Sequence, residues 1–79
     1  MARLELYGTA SCPYTQELRE SLEWNRRDFL EYDVEVDANA RDRLRSFDSS
    51  LHTVPVLVEG GKVIQVGWQG RGCSVLWGS

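Results

Sequence analysis

A hydrophobic period that changes from two residues to about four, and back again, constrains this chain more than any other feature. Residues 3–7, Arg-Leu-Glu-Leu-Tyr, alternate charged and apolar and predict a first strand. Gly8, Thr9, Ala10 and Ser11 are small and turn-forming. The pattern then predicts a helix, with Ser11 as its N-cap and Pro13 in the first turn, where a missing N–H is harmless. Tyr14, Leu18 and Leu22 recur every four residues and line one face. Glu17 and Glu20 lie towards the start, and Arg26 and Arg27 at the end, which suits the helix dipole. Residues 29–37 return to strict alternation through Leu30, Tyr32, Val34 and Val36, the pattern of a strand with one buried face.

A second, shorter helix is expected from Ala38 to Phe47, packing through Leu44 and Phe47. Val54 to Val58, interrupted by Pro55, meets Lys62 to Val66 across Glu59-Gly60-Gly61, and a Gly-Gly between two β-rich segments signals a hairpin. The stretch from Gly67 onward is rich in glycine and leaves room for no more than a short helical turn. The order is strand, helix, strand, helix, hairpin. A strand-helix-strand unit makes a parallel crossover and the hairpin adds an antiparallel pair. The expectation is an α/β fold, a mixed sheet with helices against it, filling residues 1–79 as a single domain. At 42% hydrophobic and 27% charged, the composition fits an ordinary globular chain.

Charge and cysteine content narrow the function classes. A net charge of −3 argues against a phosphate-neutralising nucleic-acid binder. No apolar run approaches the ~20 residues of a membrane-spanning helix, and the first residues lack the apolar stretch of a secretory signal. Two cysteines, Cys12 and Cys73, are too few for a disulfide scaffold, and no Cys-x-x-Cys or Cys/His cluster suggests a metal. A reducing cytoplasm is the expected setting.

Cys12 carries the chemistry because of where it sits. It follows a strand and a glycine-containing turn, and it opens a helix. Unpaired N–H groups and the positive end of the dipole stabilise a thiolate there and lower a cysteine pKa from about 8.5. The alternative is a small buried hydrophobe, as many free cysteines are.

Cys12-Pro13-Tyr14-Thr15, followed by Thr53-Val54-Pro55 and then by Gly72-Cys73-Ser74, resembles the glutaredoxins. The resemblance covers nearly the whole chain, since the element order is also that of a thioredoxin-like fold. It implies a mixed four-stranded sheet flanked by helices, here with the family's C-terminal helix truncated. It implies that Cys12 is the nucleophile and Tyr14 the aromatic flanking it. Thr53, Val54 and Pro55 would form the loop with a cis proline peptide, in which the residue before the proline offers its backbone to the cysteinyl part of glutathione. Gly72, Cys73 and Ser74 resemble the Gly-Gly-Cys-Ser-Asp turn that holds the γ-glutamyl end.

The departures are specific. Thr15 stands where a dithiol member has its second cysteine, Val75 replaces the acid of the turn, and Arg71 replaces one of its glycines. Arg41, Arg43 and Arg71 could supply carboxylate contacts instead. His52 could polarise Cys12, although a surface histidine is the commoner case. Trp24 is expected to pack at the helix edge, and Trp68 to wall a ligand groove or, with Trp77, to meet a partner. The resemblance therefore implies a glutathione-dependent thiol–disulfide oxidoreductase working by a monothiol route through Cys12. Glutathione would be the cosubstrate and no metal would be needed. Its partners would be glutathionylated proteins or small disulfides, and the chain would act as a monomer. With Thr15 in place of the usual partner, Cys73 is a candidate distant resolving thiol, or else a small packing residue. An iron–sulfur carrier of the monothiol glutaredoxin type and a redox-inactive interaction domain are the alternative functions. The first usually carries Cys-Gly-Phe-Ser at the motif.

Overall fold

The structure is a computed structural model and describes residues 3–75. The elements are β1 (Leu4–Gly8), α1 (Pro13–Trp24), β2 (Leu30–Asp33), α2 (Ala38–Phe47), β3 (Thr53–Val54), β4 (Val56–Glu59), β5 (Lys62–Val66) and β6 (Cys73–Ser74). Four strands form one mixed sheet in the order β2-β1-β4-β5, and β3 pairs with β6 in a second, two-stranded sheet. β1 runs parallel to β2 and antiparallel to β4, so the strand-helix-strand crossover and the hairpin both fall where the periodicity puts them. The four-stranded mixed sheet and two helices are those the resemblance implies.

The alternation along β1 divides the core between two faces. Leu4 and Leu6 pack with Leu57 of β4 and with Leu18 and Leu22 of α1. Tyr7 points the other way, into a cluster with Val56 and Val58 of β4 and Ala40 and Leu44 of α2. The sheet is thus sandwiched between its helices. Gly60 and Gly61 close the β4–β5 hairpin as a two-residue turn with positive φ at both positions, the condition that makes glycine the fitting residue there.

Several boundaries depart from the sequence expectations. β2 stops at Asp33 instead of running through residues 29–37, because Asp33 Oδ1 accepts from Glu35 N and the Asp33 carbonyl accepts from Val36 N and Asp37 N, turning the chain. As an edge strand it also lacks the single buried face that alternation suggested: Leu30 and Val36 are exposed, and only Val34 is buried. Val54–Val58 is not one strand, because Pro55 divides β3 from β4 through a cis peptide with Val54. The N-cap of α1 is Cys12, not Ser11, since Pro13 takes the first helical position and the Cys12 carbonyl accepts from Gln16 N at 3.3 Å. Trp24 does not pack at the helix edge and is 87% exposed. Gly67 onward forms no helical turn among the described residues. Trp68 and Arg71 instead exchange backbone hydrogen bonds across Gln69-Gly70, and β6 follows. Trp77 and whatever follows Val75 lie outside the described residues.

Candidate active site

The loop between β1 and α1 is held from both ends. The Gly8 carbonyl accepts from Val34 N at 2.9 Å, and Asp33 Oδ2 accepts from Ala10 N at 3.3 Å. Gly8 also makes room for α1, since a Cβ there would collide with the Thr15 side chain. These contacts set Cys12 at the N-terminus of a 12-residue helix, with its own N–H donated to the Thr9 carbonyl at 3.3 Å. Cys12 is buried, 2% exposed.

Cys73 lies against it. The two cysteines form a disulfide with a Cα–Cα separation of 6.0 Å, inside the range that a disulfide requires. Cys12 Sγ also sits 3.9 Å from the Val54 carbonyl oxygen, which would accept from it once the sulfur carried a proton. β6 delivers Cys73 by pairing antiparallel with β3, Val54 opposite Cys73 and Thr53 opposite Ser74. The structure therefore brings Cys12, Thr53, Val54, Pro55, Gly72, Cys73 and Ser74 to one place, with Tyr14 in the first turn of α1.

Tyr14 and Glu17 of α1 face Trp68, Gln69 and Arg71 across a groove of about 230 Å³. Trp68 thus walls a groove, one of the two roles expected of it. Arg71 is exposed there, whereas Arg43 is committed elsewhere: its Nε donates to Tyr7 Oη at 3.0 Å and its guanidinium stacks 4.5 Å over the Tyr32 ring. Arg43 is therefore not the free carboxylate contact that the sequence allowed. The same bond raises the Arg43 pKa. Burial pushes the Tyr7 phenol up, the Arg43 hydrogen bond opposes this, and Glu5, which accepts from Tyr7 Oη at 3.0 Å, adds to it. The His52 side chain is exposed, and the residue contributes its backbone, accepting from Val75 N at 2.8 Å.

That last bond, and one from Gly67 N to the Pro55 carbonyl at 2.7 Å, are contributions that sequence reasoning missed. Val75 read as a lost acid, yet its N–H anchors the segment. The available signal lay in the glycines. Gly67 has positive φ and carries the Arg71 carbonyl where a Cβ would stand. Gly72 sits where a Cβ would meet Thr53 Cγ2 and come 2.7 Å from the Val54 carbonyl oxygen.

Known proteins share this fold. The family described as glutathione S-transferase, N-terminal domain, matches residues 6–65, a range that includes Cys12 and the Pro55 loop and stops short of Cys73. The crystal structure of the thioredoxin-like protein BC3987 is 34% identical with a TM-score of 0.73, over 85% of this chain and 89% of that one. The glutaredoxin from Archaeoglobus fulgidus is 27% identical with a TM-score of 0.68, over 87% and 78%. Glutaredoxin 1 from Francisella tularensis, at 20% identity and a TM-score of 0.65 over 86% and 85%, shares the fold. No curated protein sequence gave a match. With a family match across most of its length and a thioredoxin-like relative above 30% identity, the chain belongs to the glutaredoxin and thioredoxin-fold family.

Proposed function

We propose that this protein is a glutathione-dependent thiol–disulfide oxidoreductase in which Cys12 attacks and Cys73 resolves. The observation that carries the reading is the Cys12–Cys73 disulfide, with Cys12 at a helix N-terminus and Cys73 on a strand paired beside it. The fold family supports thiol–disulfide chemistry in general. Cys12 thiolate attacks the mixed disulfide of a glutathionylated protein, taking the glutathionyl group and expelling the protein thiolate. Cys73 thiolate then attacks Cys12 Sγ, forming the intramolecular disulfide and expelling glutathione thiolate. The substrate disulfide gains two electrons and the cysteine pair loses them. Two further glutathione thiols restore the pair and leave as oxidised glutathione. The monothiol route expected from Thr15 shares the first step and differs in the second, where another glutathione does the work of Cys73. Exchange requires an accessible sulfur and a thiolate, whichever cysteine supplies them.

Both cysteines belong to one chain, so the reading needs only a monomer, and a glutathione-rich cytoplasm is the fitting compartment. It needs no metal. Among the described residues no helix is long and apolar enough to cross a membrane. The test is glutathione-dependent reduction of a small mixed disulfide by wild type, Cys12→Ser and Cys73→Ser. Cys12→Ser should lose activity altogether. Cys73→Ser should accumulate a Cys12–glutathione adduct visible in the intact mass. Full activity in Cys12→Ser would refute the reading, and a Cys73→Ser cycle with unchanged intermediates would return the second step to glutathione.

A further inference from the structure

We propose that Gly67–Val75 is a redox-operated strap: disulfide formation seats it over Cys12, and the reductant reopens the site by attacking Cys73, not Cys12. The inference rests on the two-cysteine reading above and adds how the site closes and where it opens.

Backbone pairing carries the first half. β6 lies on the edge of β3, and two more bonds, Gly67 N to the Pro55 carbonyl and Val75 N to the His52 carbonyl, tie down the chain on either side of Cys73. An external cysteinyl segment approaching Cys12 along β3 meets an edge that the chain's own Cys73 already occupies. The seat is fitted to Gly72, where a side chain would collide with Thr53 Cγ2 and the Val54 carbonyl. Beyond those backbone bonds, Trp68, Cys73 and Val75 pack partly buried against the two apolar clusters, and the rest of the segment after Gly67 lies open. β6 is two residues long, and Gln69, Gly70, Arg71, Gly72 and Ser74 are exposed. So short a pairing is marginal by itself, and the disulfide is the tie that decides whether β6 stays seated.

Access carries the second half. Cys12 is 2% exposed, whereas Cys73 is half-buried within an exposed segment. With the strap seated, Cys73 is the sulfur an external thiolate reaches more readily. Attack there also expels the better leaving group, because negative charge on Cys12 Sγ is favoured at the helix N-terminus. Glutathione thiolate forms a bond to Cys73 Sγ as the Cys12–Cys73 bond breaks, and the electron pair leaves on Cys12. A second glutathione thiolate attacks the glutathionyl sulfur, giving oxidised glutathione and free Cys73 thiolate. Two glutathione thiols are oxidised and the cysteine pair is reduced.

The full chain, oxidised, is treated with one equivalent of reduced glutathione, quenched in acid and mapped by peptide mass. The adduct is expected on Cys73, and a predominant adduct on Cys12 overturns the order of attack. Amide hydrogen exchange of oxidised and reduced protein is compared in parallel. Reduction should release protection at Val54, Gly67 and Val75 while leaving β1 and β4 protected, and equal protection in both states overturns the strap. Gly72→Ala gives a second handle that leaves both cysteines in place. It should lower the ratio of Cys12–Cys73 disulfide to dithiol by about tenfold at a fixed glutathione ratio, since overpacking unseats β6. An unchanged ratio contradicts the fitted seat. Loss of mixed-disulfide turnover with the exchange difference intact would instead sink the proposed enzyme activity and spare the strap.

Discussion

Thr15, where the resemblance to glutaredoxins would put a second cysteine, has a further peculiarity in the structure. It is 1% exposed, and its hydroxyl is the one buried side-chain polar atom left without a hydrogen bond among the described residues. Leaving a hydroxyl unpaired in an apolar site costs ~1–3 kcal/mol. Thr15→Val keeps the shape packed against Gly8 and removes the orphan, so it should stabilise the oxidised protein by about 1 kcal/mol. Thermal unfolding followed by circular dichroism checks this, and a lowered midpoint would mean that the hydroxyl finds a partner in solution. Tyr7 offers a test of sign. Because burial raises its folded-state pKa, its contribution to stability is fully present below the ordinary tyrosine value of about 10 and is lost as pH rises through the higher folded value. Tyr7→Phe should therefore flatten the alkaline limb of the stability curve above about pH 10. An equally steep limb in the variant would place the alkaline transition elsewhere.

At the scale of elements, the end of α1 shows what a sequence pattern leaves out. Arg26 N donates to the Glu23 carbonyl at 3.0 Å and Arg27 N to the Leu22 carbonyl at 2.9 Å, the paired bonds of a Schellman motif. The residue that must turn left-handed is Arg26, with φ of 57°, where glycine is the usual occupant. An L-residue pays roughly 1–2 kcal/mol in that region, so Arg26→Gly should stabilise the protein by about 1 kcal/mol after its own unfolded-state entropy is counted. Urea denaturation measures it, and a loss of stability would show that the Arg26 side chain matters more than its backbone. The helix itself was legible because Tyr14, Leu18 and Leu22 repeat every four residues, and α2 and the Gly60-Gly61 hairpin were equally plain. Arg26 and Arg27 fall beyond the last helical residue, so the dipole match expected of them is not made within the helix. β2 was overextended because alternation also arises at an edge, where both faces see solvent. β6 was invisible: two residues have no period, and what makes Cys73-Ser74 a strand is β3, some twenty positions earlier. Cys12 was legible from its place between a strand and a helix, and the cis Pro55 loop only through the resemblance to glutaredoxins. The seating of Cys73 required a contact that only the folded chain supplies.

For the whole molecule, the disulfide joins the opening of α1 to the last described strand across a sequence separation of 61. In the chain-entropy picture, closing a loop of that length removes up to ~4 kcal/mol of freedom from the unfolded state. That is a large share of the roughly 5–15 kcal/mol that holds a typical domain together, and a chain this small buries less of its surface than most. A catalytic pair cannot also be an indispensable staple, because the cycle passes through the dithiol. The main sheet answers the conflict. β1 pairs with β2 and β4, and β4 with β5, without help from β6, and both apolar clusters are centred on that sheet. Reduction should therefore lower stability by about 2–4 kcal/mol without unfolding the chain. Urea denaturation with and without excess reductant, alongside Cys73→Ser in oxidant, makes the comparison. The variant should match reduced wild type in midpoint and share its cooperativity, as expected if only the strap is lost. Coincident midpoints for oxidised and reduced wild type would mean that the Cys12–Cys73 bond contributes nothing to the fold. A reduced chain with no cooperative transition would mean that the bond is structural, and the proposed cycle would have no folded dithiol to pass through.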